Sequence, residues 1–246
     1  MRTPPVLSQD VRMLFATRVV RLFAYGFLSV ILVLYLAEVG LSGGEIGLLL
    51  TMTLVGDTGI SLGLTTSADR VGRKRMLLAG AALMTLGGLV FALTGKFLLL
   101  LLAATIGVLS PSGNEVGPFL AIEQAALAQT VAAEERTRMF AWYHLAGSFA
   151  TAAGSLACGL FVQFLQARAI PPVQSFRVVL FGYAAAGMLL AVLFLRLSPA
   201  AEAAAPAPVT GPAESPLRRG ILGLHRSRGM VLICASLEVF VIADAL

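Results

Sequence analysis

The sequence predicts an all-α membrane protein, a bundle of six transmembrane helices followed by the start of a seventh. Hydrophobic residues make up 58% of the 246 residues and charged residues only 13%, whereas a soluble domain carries about 25% charged residues. Apolar stretches recur along the whole chain, and at about 20 residues per crossing the length accommodates six or seven helices. These features exclude a soluble domain, a disordered chain and a protein with a single membrane anchor.

The first three predicted helices cover residues 22–39, 46–66 and 76–94. Each is close to the length that a bilayer requires. The first apolar stretch is longer than the core of a signal peptide and lacks a small-residue cleavage site, so we expect it to remain in the protein. A run of charged residues that begins at Asp69 ends the second helix.

The fourth predicted helix follows Lys96 and ends near Thr130, so it is longer than one bilayer thickness. The residues that interrupt it are Pro111, Gly113, Gly117 and Pro118. Proline and glycine are frequent at helix kinks, and an overlong helix adapts to a bilayer by tilting. We therefore expect this helix to tilt, kink or project beyond the membrane.

The fifth and sixth predicted helices cover 139–165 and 178–197. Beyond them, residues 198–228 are rich in Ala, Pro and Arg, which predicts a solvated linker. A further apolar stretch covers 229–246 and stops before it reaches the length of a full crossing. We therefore expect a six-helix domain over 1–197, a cytoplasmic linker and an incomplete seventh helix, in a truncated version of a longer protein.

The basic residues predict the orientation of the bundle. With the N-terminus in the cytoplasm, all of the 18 Lys and Arg residues except Lys96, Arg168 and Arg177 lie inside or at the inner ends of helices. Positively charged loops are retained on the cytoplasmic side of a bilayer. We expect an integral protein of the plasma (inner) membrane, and we attribute the net charge of +5 to orientation rather than to nucleic-acid binding.

The loop after the second predicted helix reads Ala-Asp-Arg-Val-Gly-Arg-Lys-Arg over residues 68–75. It resembles the signature of the major facilitator superfamily, Gly-x-x-x-Asp-Arg-x-Gly-Arg-Lys, at the same position between helices. The matching residues are Asp69, Arg70, Gly72, Arg73 and Lys74. Thr65 stands where the signature has its leading Gly. A merely cationic loop explains the basic residues but not the Asp and the Gly at this spacing.

The resemblance implies a secondary transporter in which two six-helix bundles rock around a central solute site. It further implies that the signature holds the cytoplasmic gate shut. Asp69 would accept hydrogen bonds from an opposing helix N-terminus, and Arg73 would pair with a carboxylate or cap helix carbonyls. In the superfamily this contact is made to the second bundle, of which the chain supplies only part of one helix.

Three acidic residues are predicted inside the membrane, where an ionised carboxylate is costly without a partner or water. Asp57, near the middle of the second helix, either carries a proton or contacts a cationic solute, or it is a helix-packing residue bonded to a hydroxyl. Glu115 and Glu123 lie on the fourth helix. A kink at Pro118 would bring both toward one acidic cavity with Asp57, unless Glu123 is an interfacial charge at the cytoplasmic end. Glu115 is the better candidate.

Two arginines and a histidine lie near the inner ends of the first and fifth predicted helices. Arg18 is expected to extend to lipid headgroups. Arg21, one turn deeper, either neutralises an acidic residue such as Glu115 or binds an anionic solute. His144 is either a proton relay near neutral pH or a packed, hydrogen-bonded residue.

The fifth predicted helix has two further patterns. Small residues recur at every fourth position, at Ala146, Ala150, Gly154 and Cys158. This spacing allows the backbones of two helices to approach closely. The neighbouring Trp142 and Tyr143 are interpreted as interfacial anchors rather than binding residues.

These observations predict secondary active transport of a small solute by alternating access, coupled to protons because acidic residues lie at depth. The alternative is a truncated remnant or an accessory half-bundle that binds another membrane chain. One bundle encloses only half a cavity, so transport would need a second half-bundle or a second copy of the chain. Fold alone does not specify the solute.

An enzyme is not expected, because the sequence lacks His-Glu-x-x-His, Gly-x-Ser-x-Gly and Gly-Lys-Ser. Cys158 and Cys234 each lie inside an apolar stretch and no second pair exists. We therefore expect neither a disulfide framework nor a metal site, and no cofactor.

Overall fold

The computed structural model describes residues 9–111, 113 and 118–198, apart from the side chains of Thr66, Asp69 and Arg70. Within these residues the chain forms seven α-helices and one short 3-10 helix. They are α1 (Gln9–Glu38), α2 (Gly43–Val71), α3 (Arg73–Leu93), α4 (Phe97–Ile106), α5 (Phe119–Thr130), the 3-10 helix Ala133–Glu135, α6 (Arg136–Ala167) and α7 (Pro172–Leu195). The prediction of an all-α membrane bundle is confirmed.

Five helices are long and apolar enough to cross a membrane, namely α1, α2, α3, α6 and α7. The fourth predicted crossing is occupied by the two shorter helices α4 and α5. The backbone N–H of Ser198, just after α7, donates to Oδ1 of Asp10 in the first turn of α1 at 3.0 Å. Both ends of the described bundle therefore meet, which requires an even number of crossings and agrees with the predicted six.

Several helices extend beyond their predicted apolar cores. The first begins at Gln9 rather than residue 22, because polar residues continue the helix past the apolar segment. At α2, Ser42 accepts a hydrogen bond from the backbone N–H of Glu45, whose side chain accepts one from the backbone of Ser42. This capping box fixes the start of the helix. At α7, Pro172 occupies the first turn, where its missing N–H costs nothing.

The central helix of the described bundle is α1. Its most apolar window is 56% buried, compared with 11% for that of α2. The α1 and α6 backbones touch: a Cβ added at Gly26 would collide with the carbonyl oxygen of Thr151, and one at Gly154 with that of Phe23. Small residues thus allow the close approach expected from the spacing on α6.

The fourth crossing is broken rather than tilted as one rod. The helix α4 ends at Ile106, and the backbone of Val108, Leu109 and Ser110 is irregular although these residues are fully buried. Tyr183 of α7 donates a hydrogen bond from its hydroxyl to the carbonyl oxygen of Val108 at 2.6 Å. Irregular backbone at membrane depth requires such partners, because lipid offers none.

Candidate functional site

A buried ion pair joins α1 to α5 in the interior of the bundle. Both side chains, Arg21 and Glu123, are completely buried. Arg21 Nη1 donates to Glu123 Oε1 at 2.8 Å, and Nη2 donates to Oε2 at 2.8 Å. In this bidentate geometry each terminal guanidinium nitrogen donates to one carboxylate oxygen, which is the strongest form of an arginine–carboxylate pair.

Two hydroxyl groups complete the surroundings of the Glu123 carboxylate. Thr17 Oγ1 of α1 donates to Oε1 at 2.9 Å, and the Tyr143 hydroxyl of α6 donates to Oε2. The guanidinium carbon of Arg21 also lies 4.7 Å from the centre of the Phe119 ring. Each carboxylate oxygen therefore accepts two hydrogen bonds, which accounts for its lone pairs and connects three helices through one side chain.

A second polar layer lies outside the ion pair and shares Tyr143 with it. Arg18 is 3% exposed, and its guanidinium carbon lies 4.3 Å from the centre of the Tyr143 ring. Arg18 Nη2 is 3.3 Å from Nδ1 of His144, whose Nε2 is 3.0 Å from the Gln124 amide nitrogen. His144 is exposed on the bundle surface and Gln124 is half-buried. The cluster thus extends from the core to the surface.

The predictions for the three acidic residues expected within the membrane have different outcomes. Glu123 is buried in the ion pair, and its described partners come from α1 and α6. Asp57 is half-buried on α2. Glu115 lies outside the described residues, so a common acidic cavity stays a prediction. The carboxylate paired with Arg21 is Glu123.

Two predictions from the polar residues are wrong. Arg18 does not extend outward from the bundle but is buried between α1 and α6. Tyr143 is fully buried and bonded to Glu123, so it is not an interfacial anchor, whereas Trp142 beside it is 56% exposed. The burial of Tyr143 could have been predicted from its spacing along the helix. It precedes Gly147 by four residues and belongs to the buried stripe of α6, which is Tyr143, Gly147, Ala150, Gly154, Cys158 and Val162.

The residues of the signature loop connect α3 to two other helices. Gly72, with φ of +111°, joins α2 to α3 in a conformation that favours glycine. Arg73 Nη1 donates to the Gln129 side-chain oxygen of α5 at 2.8 Å. Lys74 Nζ donates to the carbonyl oxygens of Leu195 and Leu197, at 2.7 and 3.0 Å, at the end of α7. The side chains of Asp69 and Arg70 lie outside the described part of the chain.

The described residues offer few groups for a metal. In this part of the chain no three His, Cys, Asp or Glu side chains cluster as a metal would require. Cys158 is a free, buried thiol within the α6 stripe.

Comparison of the sequence with models of protein families identifies the family of the chain. The model of the Major Facilitator Superfamily matches residues 14–245. The chain belongs to the Major Facilitator Superfamily. The resemblance found in residues 68–75 is thereby confirmed, and the superfamily consists of membrane transporters.

Two further proteins are similar to this superfamily chain. An uncharacterized membrane protein of Saccharomyces cerevisiae is 39% identical over 197 residues, which cover 79% of this chain and 44% of the yeast protein. A crystal structure of a mutant peptide transporter of the POT class, in complex with sulfate, superposes with a TM-score of 0.54 at 16% identity. The match covers 96% of this chain and 44% of that one, and it concerns the fold alone. The chain spans less than half the length of the relatives it matches.

Proposed function

We propose that this chain supplies the first bundle of a proton-coupled secondary transporter, which moves a small solute across the membrane by alternating access. The observation that carries the proposal is the buried Arg21–Glu123 pair with its two hydroxyl donors. Ionisable groups within a membrane bundle are rare and mark ion or substrate pathways. The Major Facilitator Superfamily provides the two-bundle framework in which such a pathway operates.

Protonation of Glu123 would change how three helices are held together. The carboxylate accepts from Thr17 and Arg21 of α1 and from Tyr143 of α6. A proton on either oxygen turns an acceptor position into a donor and removes the charge that opposes Arg21. At least one of these hydrogen bonds must then be released. Proton binding would thereby alter the packing of α1, α5 and α6, which is the coupling that a proton-driven transporter needs.

The contacts of the signature loop support a bundle that moves as a unit. Arg73 and Lys74 connect α3 to α5 and α7 at one end of the bundle. We propose that Asp69, Arg70 and Gly72 act with them in closing the cytoplasmic gate. A complete cavity would also need a second bundle, from a longer chain, a complementary half or a second copy.

The test uses the 246-residue chain in liposomes with an inward proton gradient. The probes are radiolabelled lactate, lysine and glucose, which represent an anionic, a cationic and a neutral solute. We expect gradient-driven accumulation of one probe class by the wild type. Glu123→Gln should abolish accumulation but retain exchange of labelled for unlabelled solute, because exchange needs no net proton movement. Glu134→Gln, in the exposed 3-10 helix, is the control and should behave as wild type.

Two results would contradict the proposal. If Glu123→Gln accumulates solute as the wild type does, Glu123 is not the proton site. If the wild type moves no probe, the chain is better described as an accessory half-bundle that binds another membrane chain. The double variant Arg21→Gln, Glu123→Gln removes the unpaired buried cation and separates a folding defect from the loss of a proton site.

Asp57 is proposed as a second proton or cation site. It lies on α2, whereas the described partners of Glu123 lie on α1 and α6. Asp57→Asn should abolish proton-driven transport while the protein stays folded, and unchanged transport at every pH would remove Asp57 from the mechanism.

A further inference from the structure

The helices α1 and α7 enclose a groove on the surface of the described bundle. Its volume is about 410 Å³, and the residues that line it are all apolar, namely Val19, Val20, Phe23, Ala185, Ala186 and Leu189. The two adjacent alanines leave space between the larger side chains. Both helices are long and apolar enough to cross a membrane, so an apolar groove between them suits the acyl chain of a lipid.

On α1, an arginine lies on the same face as the groove. Arg12 is exposed, and it precedes Val19 by seven residues and Phe23 by eleven. In a helix of 3.6 residues per turn, these separations are two and three full turns to within about 20°. The face of α1 that lines the groove therefore leads to Arg12.

On α7, the same register places a second arginine in line with the groove. Arg196 is exposed, and it follows Leu189 by seven residues and Ala185 by eleven. It is the C-cap residue of α7 and has right-handed helical backbone angles, so the register of the helix extends to it. The face of α7 that lines the groove therefore leads to Arg196.

The ends of α1 and α7 that carry these two arginines are in contact. The two carboxylate oxygens of Asp10 accept hydrogen bonds from the backbone N–H and the hydroxyl of Ser198. Arg12 and Arg196 are each two residues away from this contact. Asp10 is buried, whereas both arginines are exposed. Two guanidinium groups are therefore presented at one end of the groove.

A third cation lies beside Arg196. Lys74 Nζ donates to the carbonyl oxygens of Leu195 and Leu197, the residues on either side of that arginine. This end of the bundle carries the signature loop, and the distribution of Lys and Arg predicts that it is cytoplasmic. Basic pockets between membrane helices on the cytoplasmic side are typical binding sites for anionic headgroups.

The dimensions of the groove match one leaflet of a bilayer. Arg12 and Phe23, like Arg196 and Ala185, are eleven residues apart, which is about 16 Å along a helix. Half of the hydrocarbon core of a bilayer is about 15 Å thick. The 30 residues of α1 extend over about 45 Å, so its ends project beyond the hydrocarbon. A group bound by the arginines would lie among the headgroups, and a chain in the groove would reach the middle of the bilayer.

We propose that the α1–α7 groove, with Arg12 and Arg196 at its end, is a binding site for an anionic phospholipid. The two guanidinium groups bind the phosphate, because their planar sets of N–H donors match phosphate oxygens. One acyl chain fills the groove. A zwitterionic phospholipid binds less tightly, because the arginines repel the cation of its headgroup. The lipid bridges α1 and α7, which is a role separate from solute transport.

The test measures lipid binding to the 246-residue chain by native mass spectrometry, with phosphatidylglycerol and phosphatidylcholine of identical acyl chains. Because each basic residue near an anionic lipid contributes about fivefold in affinity, the wild type should prefer phosphatidylglycerol by about 30-fold. Arg12→Gln and Arg196→Gln should each retain a preference of about fivefold, and the double variant should have none. The control Arg168→Gln removes an exposed arginine that follows α6 at the opposite end of the bundle, and it should keep the full preference.

A further variant tests the groove while both arginines stay in place. Ala185 is exposed and lines the groove, so Ala185→Trp should fill it and lower the affinity for both lipids without disturbing buried residues. Ala153→Trp, at an exposed position of α6, is the matched control and should bind as the wild type does. Phosphatidylglycerol with a photoreactive diazirine in one acyl chain should cross-link to residues 19–23 and 185–189 of the wild type.

Several results would overturn the proposal. Equal affinity of the wild type for the two lipids would do so, as would a preference that persists in the double variant. Unchanged affinity in Ala185→Trp, or cross-links only outside the two segments, would show that the groove is not the site. Competition by glycerol 3-phosphate as strong as by the lipid would indicate an anion site without an acyl chain. Dimers that form in place of lipid binding would assign the groove to a second copy of the chain.

Discussion

At the scale of single residues, the stability of the bundle depends on whether Arg21 and Glu123 are both present. Each is fully buried, so removing one leaves an uncompensated charge in the interior. Breaking a buried pair in this way costs about 3–5 kcal/mol, whereas replacing both members by apolar residues of similar volume is often neutral. The pair thus adds little to the free energy of unfolding, but replacing either residue alone is strongly destabilising.

The first prediction concerns this asymmetry. Glu123→Leu alone and Arg21→Met alone should each lower the free energy of unfolding by about 3–5 kcal/mol. The double variant should recover most of the loss, because no buried charge is left unpaired. The measurement is denaturant unfolding in detergent micelles, monitored by circular dichroism. Additive losses in the double variant would show that the two side chains do not interact.

The second prediction concerns Tyr143, whose hydroxyl donates to Glu123. Tyr143→Phe retains the ring beneath Arg18 but removes a hydrogen bond to a charged group, which should cost about 1.5–3 kcal/mol of stability. Proton-driven accumulation of solute should fall in parallel. The matched control is Tyr35→Phe, which removes a hydroxyl bonded to the carbonyl of Phe91. It should lower stability without changing the pH dependence of transport.

The sequence identified Arg21 and Glu123 as candidates but not as partners. The two residues are 102 positions apart, and their pairing depends on which faces of α1 and α5 are in contact. A hydropathy pattern shows that a residue lies at depth, but the rotation of each helix is decided by packing. The same reason explains why Arg18 was expected at the lipid headgroups and Tyr143 at the interface.

At the scale of helices, close contact between backbones determines how α1 and α6 pack. Gly26 and Gly154 lie where a side chain would meet the backbone of the opposite helix. In addition, Ser155 Oγ of α6 donates to the carbonyl oxygen of Gly26 at 3.1 Å. The polar cluster of Arg18, Tyr143 and His144 bridges these same two helices, so its geometry requires the short separation.

The third prediction tests this contact. Gly26→Ala should lower the free energy of unfolding by about 1–3 kcal/mol, because the methyl group forces α1 and α6 apart. Gly159→Ala, on the same α6, meets nothing within 4 Å of the new Cβ and is the control. It should be neutral or slightly stabilising, since Ala is the better helix former. Equal losses in the two variants would contradict the close-packing argument.

The helices themselves were largely predictable, but the end of α4 was not. Prolines and glycines over 111–118 indicated an interruption of the fourth crossing. The break begins earlier, after Ile106, where Gly107 packs against the backbone of Gly87 in α3. A glycine inside an apolar stretch is compatible with a continuous helix. Whether the helix ends at that glycine depends on how it packs against the neighbouring helix.

At the scale of the whole molecule, two sets of loops lie at opposite ends of the described bundle. The α3–α4 connection contains the exposed Lys96, and the α5–α6 connection contains the exposed Glu134. The signature loop lies at the same end as the α5–α6 connection, since Arg73 bonds to Gln129 near the end of α5. The distribution of Lys and Arg predicts that this end is cytoplasmic.

The fourth prediction tests that orientation. After Cys158 and Cys234 are replaced by alanine, Lys96→Cys should react with a membrane-impermeant maleimide in intact cells. Glu134→Cys should react only after the membrane is permeabilised. Mass shifts on gels measure both reactions. Labelling in the reverse order would place the N-terminus outside and would contradict the predicted gate position of Arg73.

The hydrogen bonds between Ser198 and Asp10 bring the end of α7 beside the beginning of α1. A short peptide bridge between these two positions would therefore close the helices into a ring. Such a ring can be reopened at another loop on the same side, such as the turn at Gly72, to give a circular permutant with unchanged helix neighbours. The order of the helices in the sequence could therefore be changed without changing which helices are neighbours in the fold.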